Sequence, residues 1–463
     1  VSKRIFFFSP LAEHALRPGF FQAFNAQQIA NLAWAFGALG IMHSDMMAAL
    51  AERVAEPSCL ATLGPRDVAH ISWAFATLHI YNSNMMAGLA SCLMQDDFFL
   101  RCNHIDIALT VWAFATLGIR NQPLMARLSE QVMLDDFLPT FNSRDITMVM
   151  WAFATLGVHD DALMTALAER CMQADVLATF NAHSLATASW AFATLGITNE
   201  ALLTAIADQA LVDGVLRTAA PQAIGNIAWA FATFGFKHEK LMAGIAKRVM
   251  NDNFVSTLQS QDVANLAWAF ASLDIEHDRF MSIIAEHTMQ GDFLSAFSPE
   301  EFIMVVWAFA TVGMKNDELM EGVARQIMQQ DRLSTLTAQG VSMISWSFAT
   351  LEIRDDVLMQ GIASRAVGDG ILETFGPQSL ANTAWSFATL GVRHEGLFHR
   401  LADHAVQADL VPTFAPQAVA MTVWAFAKLG IRDDALTDAM VARASVPEFL
   451  GTFTAQELAM TAW

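Results

Sequence analysis

The sequence predicts an all-α protein, a right-handed α-solenoid of tandem 39-residue helix-turn-helix repeats. Three observations predict it. All twelve tryptophans, from Trp34 to Trp463, fall on one series with a step of 39 residues and no insertion. A fixed period of this length marks a repeat array. The run around each Trp is apolar at helical spacing, and helix breakers and helix caps recur at fixed distances behind it.

Each repeat begins with the Trp helix. Its run ends on glycine six residues after the Trp in eight of eleven cases: Gly40, Gly118, Gly157, Gly196, Gly235, Gly313, Gly391 and Gly430. Glycine suits the left-handed position that closes a helix. Nine residues after every Trp stands His, Asn or Asp: His43, Asn82, Asn121, Asp160, Asn199, His238, His277, Asn316, Asp355, His394 and Asp433. Asn and Asp cap helix N-termini, and the acid that often follows, such as Glu239 or Asp356, suits the positive end of the dipole. A second helix therefore starts there. A short third segment of the type DFLxTF leads into the next repeat, and its acid recurs as Asp97, Asp136, Asp175, Asp292, Asp331, Asp409 and Glu448. Neither helix can bury its apolar side alone, so stacked pairs share one core. The expected organisation is a leading segment or degenerate cap at 1–23. It is followed at 24–463 by about eleven full repeats and a truncated twelfth, in one continuous array.

Composition narrows the function classes. Hydrophobic residues make up 54% and charged residues 16%, which excludes disorder. The net charge of −20 argues against indiscriminate attraction to nucleic acid or anionic membrane, but leaves room for a local basic track. Cys59, Cys92, Cys102 and Cys171 lack CxxC spacing, so a zinc site or disulfide framework is not expected, and reduced thiols are. Apolar runs such as 107–119 are too short to span a bilayer. A chain that opens on Val and closes on a Trp in mid-motif is expected to be a piece of a longer protein.

A helical wheel puts the residues five, four and one before Trp, and two and three after it, on the core side. The opposite arc holds the residues seven, six and three before Trp, and one and four after it, with Trp at the edge. The position three before Trp varies most in chemistry. It supplies the candidates for contacting RNA bases: Asn31, His70, Thr187, Asn226, Asn265 and Asn382; Met stands there in five other repeats. An amide can read a base edge, and two or three side chains per repeat suffice for one base. The other reading is plain packing, with Met as a gap filler. Eight residues after Trp lies a basic column whose candidates for phosphate contact are Arg120, Lys237, Lys315, Arg354, Arg393 and Arg432. A second column, nineteen after Trp, includes Arg53, Arg170, Arg248, Arg365 and Arg443, and is as readily explained by pairing with acids of the second helix.

No GxxxxGK[ST], GxSxG or HExxH motif occurs. Paired acids such as Asp160 with Asp161 fall at helix starts, where capping explains them. No catalytic residue, metal or cofactor is therefore expected, and the chain reads as a binding protein. The stretch FNAQQIANLAWAFGALG, with Phe24, Gln27, Ile29, Ala30, Asn31, Trp34, Ala35, Leu39 and Gly40 in order, resembles the octotricopeptide repeat family. More loosely it resembles the repeats of FAST-kinase-like and RAP-domain proteins. That resemblance implies an α-solenoid that binds single-stranded RNA in mitochondrion or chloroplast and serves RNA processing, stability or translation. Membrane and small-molecule partners are not expected. The alternative, motivated by the acidity and the Met-bearing column, is an acidic protein-interaction scaffold.

Overall fold

The computed structural model describes residues 10, 12–17, 19–368 and 370–462; the twelfth tryptophan, Trp463, lies outside the described residues, as do 1–9, 11 and 18 of the expected cap at 1–23. All regular structure among the described residues is helical. The chain falls into two compact units, Val1–Leu241 and Met242–Trp463. In the first, six Trp helices pack side by side in sequence order: Ala26–Leu39, Pro65–Thr77, His104–Thr116, Ser143–Thr155, Ala182–Leu195 and Pro221–Thr233. In the second, six more do the same: Ser260–Ser272, Pro299–Thr311, Ala338–Thr350, Pro377–Thr389, Pro416–Leu429 and Ala455–Ala462. A second helix of 11–13 residues follows each of the first eleven, for example Asp161–Met172 and Glu395–Gln407. The third segments are short helical turns such as Ala174–Leu177 and Val411–Thr413. Each unit is thus a helical repeat solenoid.

The caps hold at every repeat. All eleven residues nine after Trp accept the backbone N–H three positions on, through Oδ1 of Asn or Asp and through Nδ1 of the four histidines. An Asn or Asp cap of this kind contributes about 1 kcal/mol. All eight glycines six after Trp have φ between 60° and 67°. The three repeats that lack this glycine keep the conformation anyway, with His79, Asp274 and Glu352 at φ 50–54°. Packing therefore imposes the left-handed residue even where a side chain opposes it.

The core is built from the columns the wheel places there. The Phe two after Trp is buried in all eleven repeats that carry it, as are the apolar residues five before the first eleven Trp, such as Ile29, Val263 and Leu380; Leu458, in the last helix, is exposed. Two wheel assignments need correction. The Ala or Ser one after Trp, assigned to the open arc, is buried in ten of eleven repeats, from Ala74 to Ala425. The residue six before Trp is buried at Asp106, Asp145, Ser184 and Asp262. A stacked Trp helix packs on both flanks as well as on its base, so its buried arc exceeds the single face of a two-layer amphipathic helix.

The candidate nucleic-acid interface

Within each unit the Trp helices expose one strip. It comprises the residue seven before Trp, the residue three before, the Trp itself and the residue four after. The eleven described tryptophans are all half-buried. Consecutive indoles approach each other across the seam between helices: centroids are 4.1 Å apart for Trp34–Trp73, 6.2 Å for Trp112–Trp151 and 6.4 Å for Trp268–Trp307. The position three before Trp lies against the Trp of the preceding repeat at His70, whose ring is 4.4 Å from that of Trp34, and Met421 shares a cavity with Trp385. In the second unit one cavity of about 220 Å3 is walled by Trp346 and Trp385 together with Gln417, Met421, Gln456 and Met460, with the acid Glu457 at its side. Trp and the positions seven and three before it thus line one surface.

Of the six base-contact candidates, Asn31 is exposed, His70, Thr187, Asn226 and Asn382 are half-buried, and Asn265 is nearly closed off at 8% exposure. The Met residues alternate with them in the same column, half-buried except Met421. Burial perturbs His70 within the strip and, six before their Trp, Asp106 and Asp262 beside it. Burial, with help from Arg66, lowers the pKa of His70 and keeps it neutral. Burial also raises Asp106, against an opposing backbone hydrogen bond with Asn103.

Sequence variability does not single out the position seven before Trp, yet it is the most open column of the strip, exposed in all twelve repeats. It holds Gln27, Arg66, Ile105, Arg144, His183, Gln222, Gln261, Glu300, Gln339, Gln378, Gln417 and Gln456. The sequence does carry a signal for it: seven glutamines recur in one register of an acidic chain, where solubility alone favours charge. The acids one residue further on are spent as caps. Asp67, Asp262 and Glu301 accept the N–H groups of Gly64, Gln259 and Ser298.

The phosphate candidates Arg120, Lys237, Lys315, Arg354, Arg393 and Arg432 are exposed in the turns after the Trp helices, at one edge of the strip. Three pair with the acid two residues on: Lys315 with Asp317 at 3.7 Å, Arg354 with Asp356 at 2.8 Å, and Arg393 with Glu395 at 2.8 Å. Arg120 donates to the Gly157 carbonyl, at the end of the next Trp helix. The column nineteen after Trp serves packing. Arg365 donates twice to the Leu336 carbonyl, at 3.1 and 3.0 Å, and Gln209 and His404 reach the corresponding carbonyls of Phe180 and Phe375. These three side chains fasten their second helices to the backbone that enters the Trp helix of the same repeat, while Arg53 and Arg170 pair with Glu56 and Asp175.

No group of three or more His, Cys, Asp or Glu among the described residues is arranged to hold a metal ion, and no helix among them is long and apolar enough to cross a membrane.

The chain matches the protein family described as RNA-editing substrate-binding complex 6 protein, in three overlapping stretches at residues 24–219, 217–409 and 256–461. Among solved structures it is similar to the pentatricopeptide repeat protein PPR10 from maize, at 11% identity and a TM-score of 0.23, with 99% of this chain and 89% of that chain covered. No curated protein matches it.

Proposed function

The chain belongs to the RNA-editing substrate-binding complex 6 protein family, and from that premise we propose that it binds single-stranded RNA along the exposed strips of its Trp helices. In this reading it is a non-catalytic holder of RNA substrate in an editing assembly. Its setting is an organelle, the mitochondrion of the two compartments that the octotricopeptide resemblance implies. Contacts are made by Asn31, His70, Thr187, Asn226, Asn265 and Asn382 toward bases, and by Arg120, Lys237, Lys315, Arg354, Arg393 and Arg432 toward phosphates.

The observation that carries the proposal is how charge is sorted. The chain has a net charge of −20. Its strips hold three cations, Arg66, Arg144 and Lys428, against Glu300 and, in the lining of the cavity beside Trp385, Glu457, which is 3 − 2 = +1. Amides, thioethers, indole rings and, four after Trp, threonine hydroxyls fill most of the rest. These are the groups that hydrogen-bond base edges and stack on base faces in single-stranded recognition.

The test is direct binding of the whole chain to a randomised single-stranded RNA pool at several salt concentrations, beside the variant R354Q/R393Q/R432Q. Saturable binding is expected, with a log–log salt slope that becomes shallower in the variant by roughly 0.7 for each phosphate no longer neutralised. Absence of saturable binding to the pool overturns the reading and returns the strips to a protein partner of an acidic scaffold.

A further inference from the structure

Resting on the RNA reading, we propose that each repeat reads one base through a pair of side chains, seven and three residues before its Trp, beside the indole of the preceding repeat. Residues four apart on a helix share a face. The contact between them is visible in the ninth repeat, where Gln339 Nε2 lies 3.7 Å from Met343 Sδ. The first member is exposed in every repeat, and the second is half-buried or buried in every repeat but the first, against the neighbouring Trp at His70. A base entering the strip therefore meets an amide or cation at its outer edge and an Asn or Met side chain further in, with an aromatic surface alongside, as in the cavity lined by Trp385, Gln417 and Met421.

The framework around the pair is nearly constant: an aliphatic residue five before Trp, Ala or Ser after it and Phe two after it. The pair itself falls into classes. Gln with Asn occurs at Gln27/Asn31, Gln222/Asn226, Gln261/Asn265 and Gln378/Asn382. Gln with Met occurs at Gln339/Met343, Gln417/Met421 and Gln456/Met460. Two amides offer donors and acceptors to a base edge at two points. An amide with a thioether offers one polar point and a soft apolar contact. The pair Ile105/Leu109 offers no hydrogen bond and reads nothing. Repeats with the same pair should share a base preference.

The order of pairs yields a signature. Along the second unit the classes run Gln–Asn, Glu–Met, Gln–Met, Gln–Asn, Gln–Met, Gln–Met. The bound sequence should thus show its first and fourth positions alike, and its third, fifth and sixth alike but different from those. Along the first unit, first and sixth positions should agree and the third should be degenerate.

The experiment is selection of enriched sequences from the randomised single-stranded RNA pool with the whole chain. It is repeated with N31M/N226M/N265M/N382M and, reciprocally, with M343N/M421N/M460N. Met and Asn already alternate in this column of one framework, so both variants are expected to fold, with helical circular dichroism as the check. A two-point amide contact discriminates its base by roughly 5- to 150-fold. The Asn-to-Met variant should lose that discrimination at the four Gln–Asn positions and take on the preference of the Gln–Met positions; the reciprocal variant should do the reverse. Binding in which the class pattern is absent, or in which both variants keep the parent preference, overturns the two-residue reader and leaves RNA binding standing. Failure of the parent chain to bind the pool overturns both.

Discussion

Replacing Gly37 by Ala is expected to loosen the first seam between Trp helices. Three residues after Trp, ten repeats carry Ala and only the first carries Gly. Gly37 is buried inside the helix Ala26–Leu39, so backbone freedom does not explain it; space does. A Cβ at Gly37 would stand 2.8 Å from the Ala74 Cα, 3.0 Å from the Ala74 Cβ and 3.2 Å from Trp73 Cζ3. Carbon atoms sit comfortably at about 3.5–4.0 Å, so the two helices must separate by about 0.7 Å or more. The first obstacle is main chain within Pro65–Thr77 and cannot rotate aside. The tightest Trp pair lies at the same seam, at 4.1 Å against 6.2 and 6.4 Å at two seams where Ala is present.

Two effects oppose each other in that substitution. Ala gains about 1 kcal/mol over Gly in a helix interior, and overpacking costs about 1–3 kcal/mol. Because the clash is with backbone, the second effect should prevail, for a net loss of about 0–2 kcal/mol confined to the first two repeats. Hydrogen exchange within Ala26–Leu39 should quicken. The exciton couplet of the paired indoles in circular dichroism should weaken as Trp34 and Trp73 draw toward the spacing of the other pairs. A variant about 1 kcal/mol more stable, with the couplet intact, would refute the claim that the missing methyl sets this spacing.

Two further outcomes follow from buried titrating groups. His70 is held below its ordinary range by burial and then by Arg66, with Asp106 and Asp67 opposing. The unfolded chain therefore takes up a proton first, and the stability carried by neutral His70 is lost as pH falls from about 6.5. In His70→Met, which places there the residue of five other repeats, the melting temperature should fall less between pH 7 and 5 than in the parent; equal falls would remove His70 from the account. The four cysteines are buried, and burial pushes the thiols of Cys102 and Cys171 up to about 12 and raises those of Cys59 and Cys92. At neutral pH a maleimide should label none of them before the repeats unfold, and rapid labelling of the native chain would contradict that burial.

What the sequence discloses is whatever repeats in register. The 39-residue period locates both helices, and a cap such as Asn199 or His394 declares its role because every repeat needs a donor-satisfying side chain at that turn. What it hides are relations between neighbours. The Ala after each Trp looks open on a wheel and is closed by the next Trp helix, which no single-helix projection contains. Arg365 looks like a phosphate ligand until the Leu336 carbonyl appears 3.0 Å away. The glutamines seven before Trp escape a search for the most varied position, because seven of the twelve repeats keep the same amide there. Exposure in all twelve repeats is what marks that column.

The same sorting answers how so acidic a chain could hold RNA. In most nucleic-acid interfaces phosphate contacts supply much of the affinity and all of its non-specific part. Here Lys315, Arg354 and Arg393 already face the acids that open the second helices. A phosphate gains little from a cation that must first give up Asp356 or Glu395, and exposed pairs of this kind are worth at most about 1 kcal/mol. The edges of the strips are therefore close to neutral and the strips themselves are not repulsive, while the −20 resides elsewhere. Such a surface should hold arbitrary RNA weakly and owe most of its affinity to bases, through amides and indoles. An array meant to choose among substrates gains from that arrangement, because the amide contacts that discriminate bases then carry a larger share of its affinity.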